Sequence, residues 1–241
     1  MTPDDYKFLS ELLLKTSGLC LGDNRQYLVE KRLAPLAQSS GFDSLDDLIQ
    51  SLRSNPGAAT VHAVAEAMAT NETLFFRDAQ PFEDLRNTLL PRLLEARRHV
   101  KQLRIWSAAA STGQEAYSIG MLLRHHFPEL DSWQIEIVGT DISSKALDRA
   151  RQAVYSQFEI QRGLPVQMLI RFFEQVPDGW KVKSEIRDMV RFREQNLLQA
   201  FNRLGRFDII FCRNVLIYFD QETKVNIFSR LGNMVESDGY L

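Results

Sequence analysis

Hydrophobic positions recur at helical spacing through the first third of the chain and at strand spacing after it. Residues 4–17 (DDYKFLSELLLKTS) place apolar side chains three and four apart and stop at Gly18; residues 24–38 (NRQYLVEKRLAPLAQ) repeat the pattern and stop before Gly41. Ser44 is the expected N-cap of a third helix, SLDDLIQSLRS, which Asn55-Pro56-Gly57 ends, and a fourth, AATVHAVAEAMAT, delivers the chain to NETLFFRD. The amphipathic run PFEDLRNTLLPRLLEARRH predicts one more helix before the first strand. From Leu103 the period changes. LRIWSAA, QIEIVGTD, MVRFREQNLL and FDIIFCRN read as strands, separated by the helical patterns YSIGMLLRHHF and SSKALDRARQAV. Such alternation predicts a parallel sheet with helices on both faces. Between residues 165 and 193 it is interrupted, where FFEQV and KVKSEIR flank the turn PDGW and predict a small antiparallel hairpin insertion. A further strand is expected to begin at DGYL, with the sheet's last strands cut off.

Length and composition narrow the class. With 241 residues, 44% hydrophobic and 25% charged, the chain reads as globular, either one large domain or two small ones. The expected division is a helical domain at 1–70, a linker at 71–86 and an α/β domain at 87–241. A net charge of −2 gives no reason to expect nucleic acid. The polar start MTPDD does not read as a signal peptide, and no stretch approaches a membrane span, so a cytoplasmic location is expected. Cys20 and Cys212 lie far apart and favour reduced thiols, and the histidines show no metal-ligand spacing, so no metal is expected.

The chemistry begins at the turn after the first strand, WSAAASTGQEAYSIGM, which holds one glycine, Gly113, followed by the acid Glu115. A dinucleotide requires several glycines there, because its pyrophosphate approaches the backbone closely, and an NAD-dependent oxidoreductase is disfavoured on that ground. S-adenosylmethionine carries no phosphate; its adenosine, sulfonium and amino-acid end suit one tight bend and a carboxylate. Glu115 meets that need, or it merely occupies the first turn of a helix, where the dipole favours acids. Asp141 ends the second strand, where an acid accepts hydrogen bonds from both hydroxyls of a ribose. The alternative for Asp141 is the N-cap of SSKALDRA, a place Ser143 fills equally well. Asn196 and Leu197, after the third parallel strand, offer an amide and a backbone N–H to an adenine, unless Asn196 is a turn asparagine.

Taken together and in this order, NETLFFRD, WSAAASTGQEAYSIGM, GTDIS, QNLL and FDIIFCRNVLIYF resemble the chemotaxis receptor glutamate methyltransferases, the CheR family. The resemblance covers nearly the whole chain. It implies a Rossmann-like α/β fold of the S-adenosylmethionine-dependent methyltransferases, with a small antiparallel β insertion and an all-α N-terminal domain. It implies methyl ester formation on glutamates in the cytoplasmic helical bundle of chemoreceptors, with S-adenosylhomocysteine as product, by a cytoplasmic enzyme recruited to membrane receptors. Carried over to this sequence, it assigns Asn71, Thr73 and Arg77 to cofactor contacts from the linker, and Glu115, Asp141, Asn196, Leu197, Arg213 and Asn214 to the same ligand. Arg77 and Tyr218 match the residues the family associates with catalysis. The turn departs from the commoner pattern, since Gln114 stands where a second acid often follows Gly113.

A glutamate carboxylate is already ionised near neutral pH, so its methylation needs alignment and no general base. Arg77 is placed to clamp either the substrate glutamate or the cofactor's own carboxylate. Tyr218 either steers the attacking oxygen or packs its ring beside Phe219. A nucleic-acid base methyltransferase is disfavoured, because Asn214-Val215-Leu216-Ile217-Tyr218 replaces the Asn-Pro-Pro-Tyr often found there. A cofactor-binding sensor without turnover, or a methyltransferase with another substrate, remains the alternative. The short turn Pro177-Asp178-Gly179-Trp180 lacks the glycine-rich residues of family members that grip a receptor tail peptide, so no such peptide is expected to be required. Docking would then fall to Arg25 and Arg32, seven residues apart on the second helix, and methylation would slow with salt and weaken on Arg32→Glu; the alternative for the pair is a solvated face.

Overall fold

A computed structural model describes residues 1–22 and 25–241. By contact the chain divides into two units, one of Met1–Thr70, Asn196–Ala200 and Asn214–Phe228, the other of Asn71–Gln195, Phe201–Arg213 and Ser229–Leu241.

The first unit is built on four helices. α1 (Pro3–Ser17) opens with a capping box, Thr2 with Asp5, and closes at Gly18 with φ 75°. α2 (Gln26–Ser39) follows; Asn24, where the hydrophobic pattern starts this helix, lies outside the described residues. Ser44 caps α3 (Leu45–Ser54) as expected, accepting the Asp47 N–H, and α4 (Ala58–Met68) packs against α1 and α2. Leu9 and Leu13, Val29 and Leu33, Leu48 and Leu52, and Val64 and Met68 form its core. Each pair is four residues apart, and burying one such side chain contributes about 1.5–3 kcal/mol.

Arg32 belongs to this packing. Its guanidinium donates to the carbonyls of Met68 at 2.5 Å and Ala69 at 3.0 Å and to Thr70 Oγ1 at 3.2 Å, closing the C-terminus of α4. Arg25 precedes α2 and is exposed. Arg32→Ala is therefore expected to lower the unfolding free energy by about 1 kcal/mol, as a lost helix cap does. Urea denaturation measures it, and an unchanged midpoint would return Arg32 to the solvated surface.

The second unit opens with α5 (Ala79–Asp84), a π-helical turn (Leu85–Leu89) and α6 (Leu90–Arg97). The sequence reads this stretch as one helix; the structure widens it just ahead of Pro91, which has no N–H to give to the preceding turn. Then follow β1 (Gln102–Ala108), α7 (Gln114–His126), β2 (Gln134–Asp141), α8 (Ser144–Gln152), β3 (Val154–Tyr155), α9 (Gln157–Gln161), α10 (Val166–Phe172), β4 (Phe173–Val176), β5 (Gly179–Val182), α11 (Ser184–Arg187), β6 (Val190–Glu194), β7 (Phe207–Cys212), α12 (Gln221–Gly232), whose residues up to Phe228 count with the first unit, and β8 (Val235–Tyr240).

Five strands form a parallel sheet in the order β6-β2-β1-β7-β8. The order reverses between β1 and β7, which opens a crevice at the carboxyl ends of the strands, where open α/β sheets bind ligands. Ile105, Ile137 and Ile209 from three adjacent strands are buried in its core, as the apolar runs predict.

Two local readings are corrected. The SEIR part of KVKSEIR is helix α11. The hairpin β4-β5 carries a third strand, β3, giving a second sheet in the order β3-β5-β4, since two residues are too few for alternation to register. Val176 pairs with Gly179, so Pro177-Asp178 form a two-residue loop.

Candidate active site

The carboxyl ends of β1, β2 and β7 carry the candidate residues of the second unit. Beyond Ala108 the chain passes through Ala109 (φ 61°), Ser111 (φ 51°) and Gly113 (φ 94°), all left-handed. Such positions cost about 1 kcal/mol or more for a residue with a Cβ and persist only where the surroundings hold them. Here Asp141 holds them. Its Oδ2 accepts the Ser111 N–H at 2.8 Å, while the Ser111 hydroxyl donates to the Asn71 carbonyl at 2.8 Å and Ala110 N–H donates to Thr140 O at 2.8 Å. At Gly113 the one glycine is required twice over: φ is positive, and a Cβ would stand 2.9 Å from Ala150 Cβ and 3.0 Å from Phe192 Cζ.

The other oxygen of Asp141, Oδ1, accepts the Ser143 N–H at 2.9 Å, and Ser143 itself caps α8 by accepting the Ala146 N–H. The N-cap alternative for Asp141 thus falls to Ser143. Asp141 is 6% exposed at the end of β2.

Glu115 lies in the first turn of α7 and faces the end of β1. Its Oε1 accepts from the Ser107 hydroxyl at 2.7 Å, and its Oε2 pairs with Arg213 at 3.0 Å. Burial raises the carboxyl above its ordinary value, opposed by the Ser107 hydrogen bond and the charges of Arg213 and Arg77. A cation placed against Glu115 would favour the ionised form that burial resists.

Arg213 is the hub. Besides Glu115 it donates to the Arg77 carbonyl at 2.7 Å and pairs with Asp78 at 3.0 Å, with its guanidinium 5.6 Å above the Phe82 ring. Arg77 is flanked by two left-handed residues, Phe76 (φ 49°) and Asp78 (φ 55°), and donates to the Glu72 carbonyl at 3.0 Å. The Phe76 N–H is received by Ser118 Oγ at 3.0 Å, and the Ser118 hydroxyl returns to the Gln114 carbonyl at 2.7 Å. The segment Asn71–Arg77 is in this way tied to α7 and to Arg213.

Asn196, Leu197, Asn214 and Tyr218 belong to the first unit. Asn196 makes a turn of its own, Oδ1 accepting the Leu198 N–H at 2.9 Å, and donates from Nδ2 to the Thr16 carbonyl at 2.7 Å. Leu197 is buried, and Asn214 is left-handed at φ 57°. Tyr218 closes a 3₁₀ turn, and its carbonyl accepts the Cys20 N–H at 2.8 Å. The ring is half-buried, while its neighbour Phe219 is the one packed inside.

The structure thus brings Asn71, Arg77, Glu115, Asp141 and Arg213 together in one unit, with Thr73 half-buried on the same segment. Sequence reasoning missed Ser107, Ser111, Asp78 and Ser118, which hold these residues. Their signal was weak: serines at a strand end and in a turn look like ordinary turn chemistry. Cys212, on β7, has its thiol pushed up to about 12 by burial, with the charge of Glu115 adding to it, and Cys20 is exposed. Titration with a thiol reagent at neutral pH is expected to modify exposed Cys20 quickly and half-buried Cys212 much more slowly. Two equally fast equivalents would contradict the raised thiol of Cys212.

A parallel sheet that reverses at β1 and β7, a single-glycine turn, a carboxylate at one strand end and another in the first turn of the helix after β1 suit a ligand with hydroxyl and cationic groups and lack a phosphate cradle. They define an α/β nucleoside-dependent methyltransferase fold, preceded by an all-α region. The comparisons with known proteins narrow this further. The family model described as CheR methyltransferase, all-alpha domain, matches residues 4–68, and that described as CheR methyltransferase, SAM binding domain, matches residues 71–241. The chain is 42% identical to "Chemotaxis protein methyltransferase 1" of Pseudomonas aeruginosa, over 98% of this chain and 87% of that protein. It is 40% identical to "Chemotaxis protein methyltransferase" of Vibrio parahaemolyticus, over 100% and 88%, and 32% identical to a protein of the same description from Borreliella burgdorferi, over 100% and 87%. The chain belongs to the CheR methyltransferase family, and its cofactor is S-adenosylmethionine.

Proposed function

We propose that this methyltransferase esterifies the γ-carboxyl of glutamates on the cytoplasmic helical bundle of chemoreceptors, as a protein-glutamate O-methyltransferase acting in sensory adaptation. The observation that carries the reading is the largely buried Glu115–Arg213 pair, which also ties down the Arg77 backbone, beside Asp141 at the end of β2. Glu115 would face the cofactor's cationic end and Asp141 its ribose, with Asn71, Thr73, Asn196, Leu197, Arg213 and Asn214 completing the cofactor set. When bound, S-adenosylmethionine supplies a methyl group on a sulfonium that leaves as a neutral thioether. The protein supplies alignment. No side chain has to remove a proton from a carboxylate that is already ionised.

Arg77 orients a carboxylate, and Tyr218 directs its hydroxyl at the attacking oxygen; among the described residues that hydroxyl makes no hydrogen bond. Arg77 is held in a segment of two left-handed residues, which suits a group whose position matters more than its charge. The two-residue loop of the β4-β5 hairpin supports docking without a receptor tail peptide, and exposed Arg25 remains a candidate cation for the acidic receptor surface. Among the described residues no helix is long and apolar enough to cross a membrane, and we read the enzyme as cytoplasmic and brought to the membrane by its receptors.

The test is transfer of labelled methyl from S-adenosylmethionine to a purified receptor cytoplasmic fragment, with base-labile methanol release as the signature of an ester. Tyr218→Phe is expected to reduce turnover by about 10-fold or more with unchanged S-adenosylhomocysteine affinity. Base-stable product would reject the glutamate ester, and full activity in Tyr218→Phe would reduce Tyr218 to packing. Cofactor binding with no transfer to any receptor fragment would favour the sensor alternative.

A further inference from the structure

On the outer side of β6, the second unit holds a cavity of about 320 Å³ lined by Arg151, Arg187, Arg191 and Arg193 around the rings of Tyr117 and Phe192. The volume is at the lower end of small-molecule sites. Arg151 pairs with Asp148 at 2.7 Å and donates to the Phe192 carbonyl at 3.1 Å, and Arg191 donates to the carbonyls of Asp188 and Val190 at 2.9 and 3.2 Å. Among the described residues, Arg187, Arg191 and Arg193 have no carboxylate within ion-pair distance, and Nε of Arg187 is buried without a hydrogen-bond partner. Arg187 is half-buried, and a buried N–H of a cation with no acceptor is costly, so native structures rarely leave one without a use.

Edge protection explains part of the cluster. β6 is the outermost strand of the sheet, and charges on an edge discourage pairing with another chain. That covers Arg191 and Arg193, which stand on the strand. It does not cover Arg151 from α8 or Arg187 from α11, which converge on the same cavity. Guanidinium forks fit phosphate oxygens through paired hydrogen bonds, and the two rings offer an apolar wall beside them.

We propose that this cavity is a second ligand site that takes a phosphoryl-bearing small molecule, with the arginine cluster meeting its oxygens, and that its occupancy is coupled to the cofactor turn. The coupling rests on shared packing. Tyr117 and Phe192 meet edge-on at 5.6 Å, and they are also the rings against which Gly113 closes, a Cβ there standing 3.2 Å from Tyr117 Cε2 and 3.0 Å from Phe192 Cζ. A ligand that fixes Phe192 from the cavity side fixes one wall of the turn that carries Glu115, and the effect is equal in both directions.

Calorimetry of the whole chain with inorganic pyrophosphate, against sodium chloride of matched ionic strength, tests the site independently of the proposed enzymatic activity. Saturable binding is expected, weakened about 10-fold or more in Arg187→Gln and in the exposed Arg193→Ser, whose fold is checked by circular dichroism. Guanosine diphosphate and guanosine distinguish the source: tighter binding of the diphosphate than of pyrophosphate assigns a nucleotide, and equal binding assigns a simple polyphosphate. No saturable heat at millimolar pyrophosphate, undiminished binding in folded Arg193→Ser, or guanosine binding as tightly as its diphosphate overturns the proposal. Binding of a polyglutamate peptide with none of pyrophosphate also overturns it, and gives the face to an acidic protein partner. Unchanged pyrophosphate affinity at saturating S-adenosylhomocysteine removes the coupling.

Discussion

Replacing Arg213 with methionine is expected to cost about 2–3 kcal/mol of stability, somewhat less than removing one partner from a fully buried ion pair. Arg213 and Glu115 are 16% and 14% exposed in their side chains, so water does little to replace the lost partner. Glu115 would then keep only the Ser107 hydroxyl and the more distant charge of Arg77, and its carboxyl would rise further above the ordinary range. At the same time the Arg77 carbonyl and Asp78 lose their donor, so the strained segment Phe76–Asp78 is released. Affinity for S-adenosylhomocysteine is expected to fall roughly 100-fold, about 2.8 kcal/mol. Urea denaturation and calorimetry measure the two losses separately. Adding Glu115→Gln is expected to recover part of the stability and none of the affinity, because it removes the stranded charge and the ligand's counter-ion together. A single variant with wild-type stability and affinity would show that the hub does not exist.

Asp141→Ala is expected to weaken S-adenosylmethionine and S-adenosylhomocysteine alike by about 1–3 kcal/mol, since both carry the same ribose. The structure adds a second loss that the sequence does not predict. The buried N–H groups of Ser111 and Ser143 each lose an acceptor, and each orphaned group costs about 1–3 kcal/mol of stability. Asp141→Asn keeps a carbonyl oxygen for one of them and is expected to be intermediate in stability. Calorimetric affinity separates the roles. If Asp141→Ala unfolds at lower denaturant yet binds both ligands as the wild type does, Asp141 is a brace for the turn and not a ligand.

Much of the candidate site's local structure was legible because it is set by neighbouring residues. Gly113 and Glu115 are two residues apart, and a glycine at a strand-to-helix turn followed by an acid reads as one device in any register of the surrounding fold. Asp141 closes its strand for the same reason, and Ser143 was readable as a cap. The bracing was not legible. Ser107 to Glu115, Ser111 to Asn71, Phe76 to Ser118 and Arg213 to the Arg77 carbonyl join residues from 8 to 136 positions apart. No periodicity links such residues. Arg32 shows the same limit from the other side: its position on a helix suggested a docking cation, and nothing in that position revealed the partners, 36 to 38 positions away, to which it donates at the end of another helix.

By itself the sequence determined the helical first third, the parallel α/β pattern after it, the single-glycine turn and the acids at the strand ends, all of which are set by side chains within a few residues of one another. Only the tertiary structure decided that Arg213 is a hub, that Asp141 holds two backbone amides, that β3 completes the small sheet and that four arginines surround one cavity. Those features depend on which strand lies beside which, and the sheet order β6-β2-β1-β7-β8 is chosen by the burial of whole faces at once and not by any one segment.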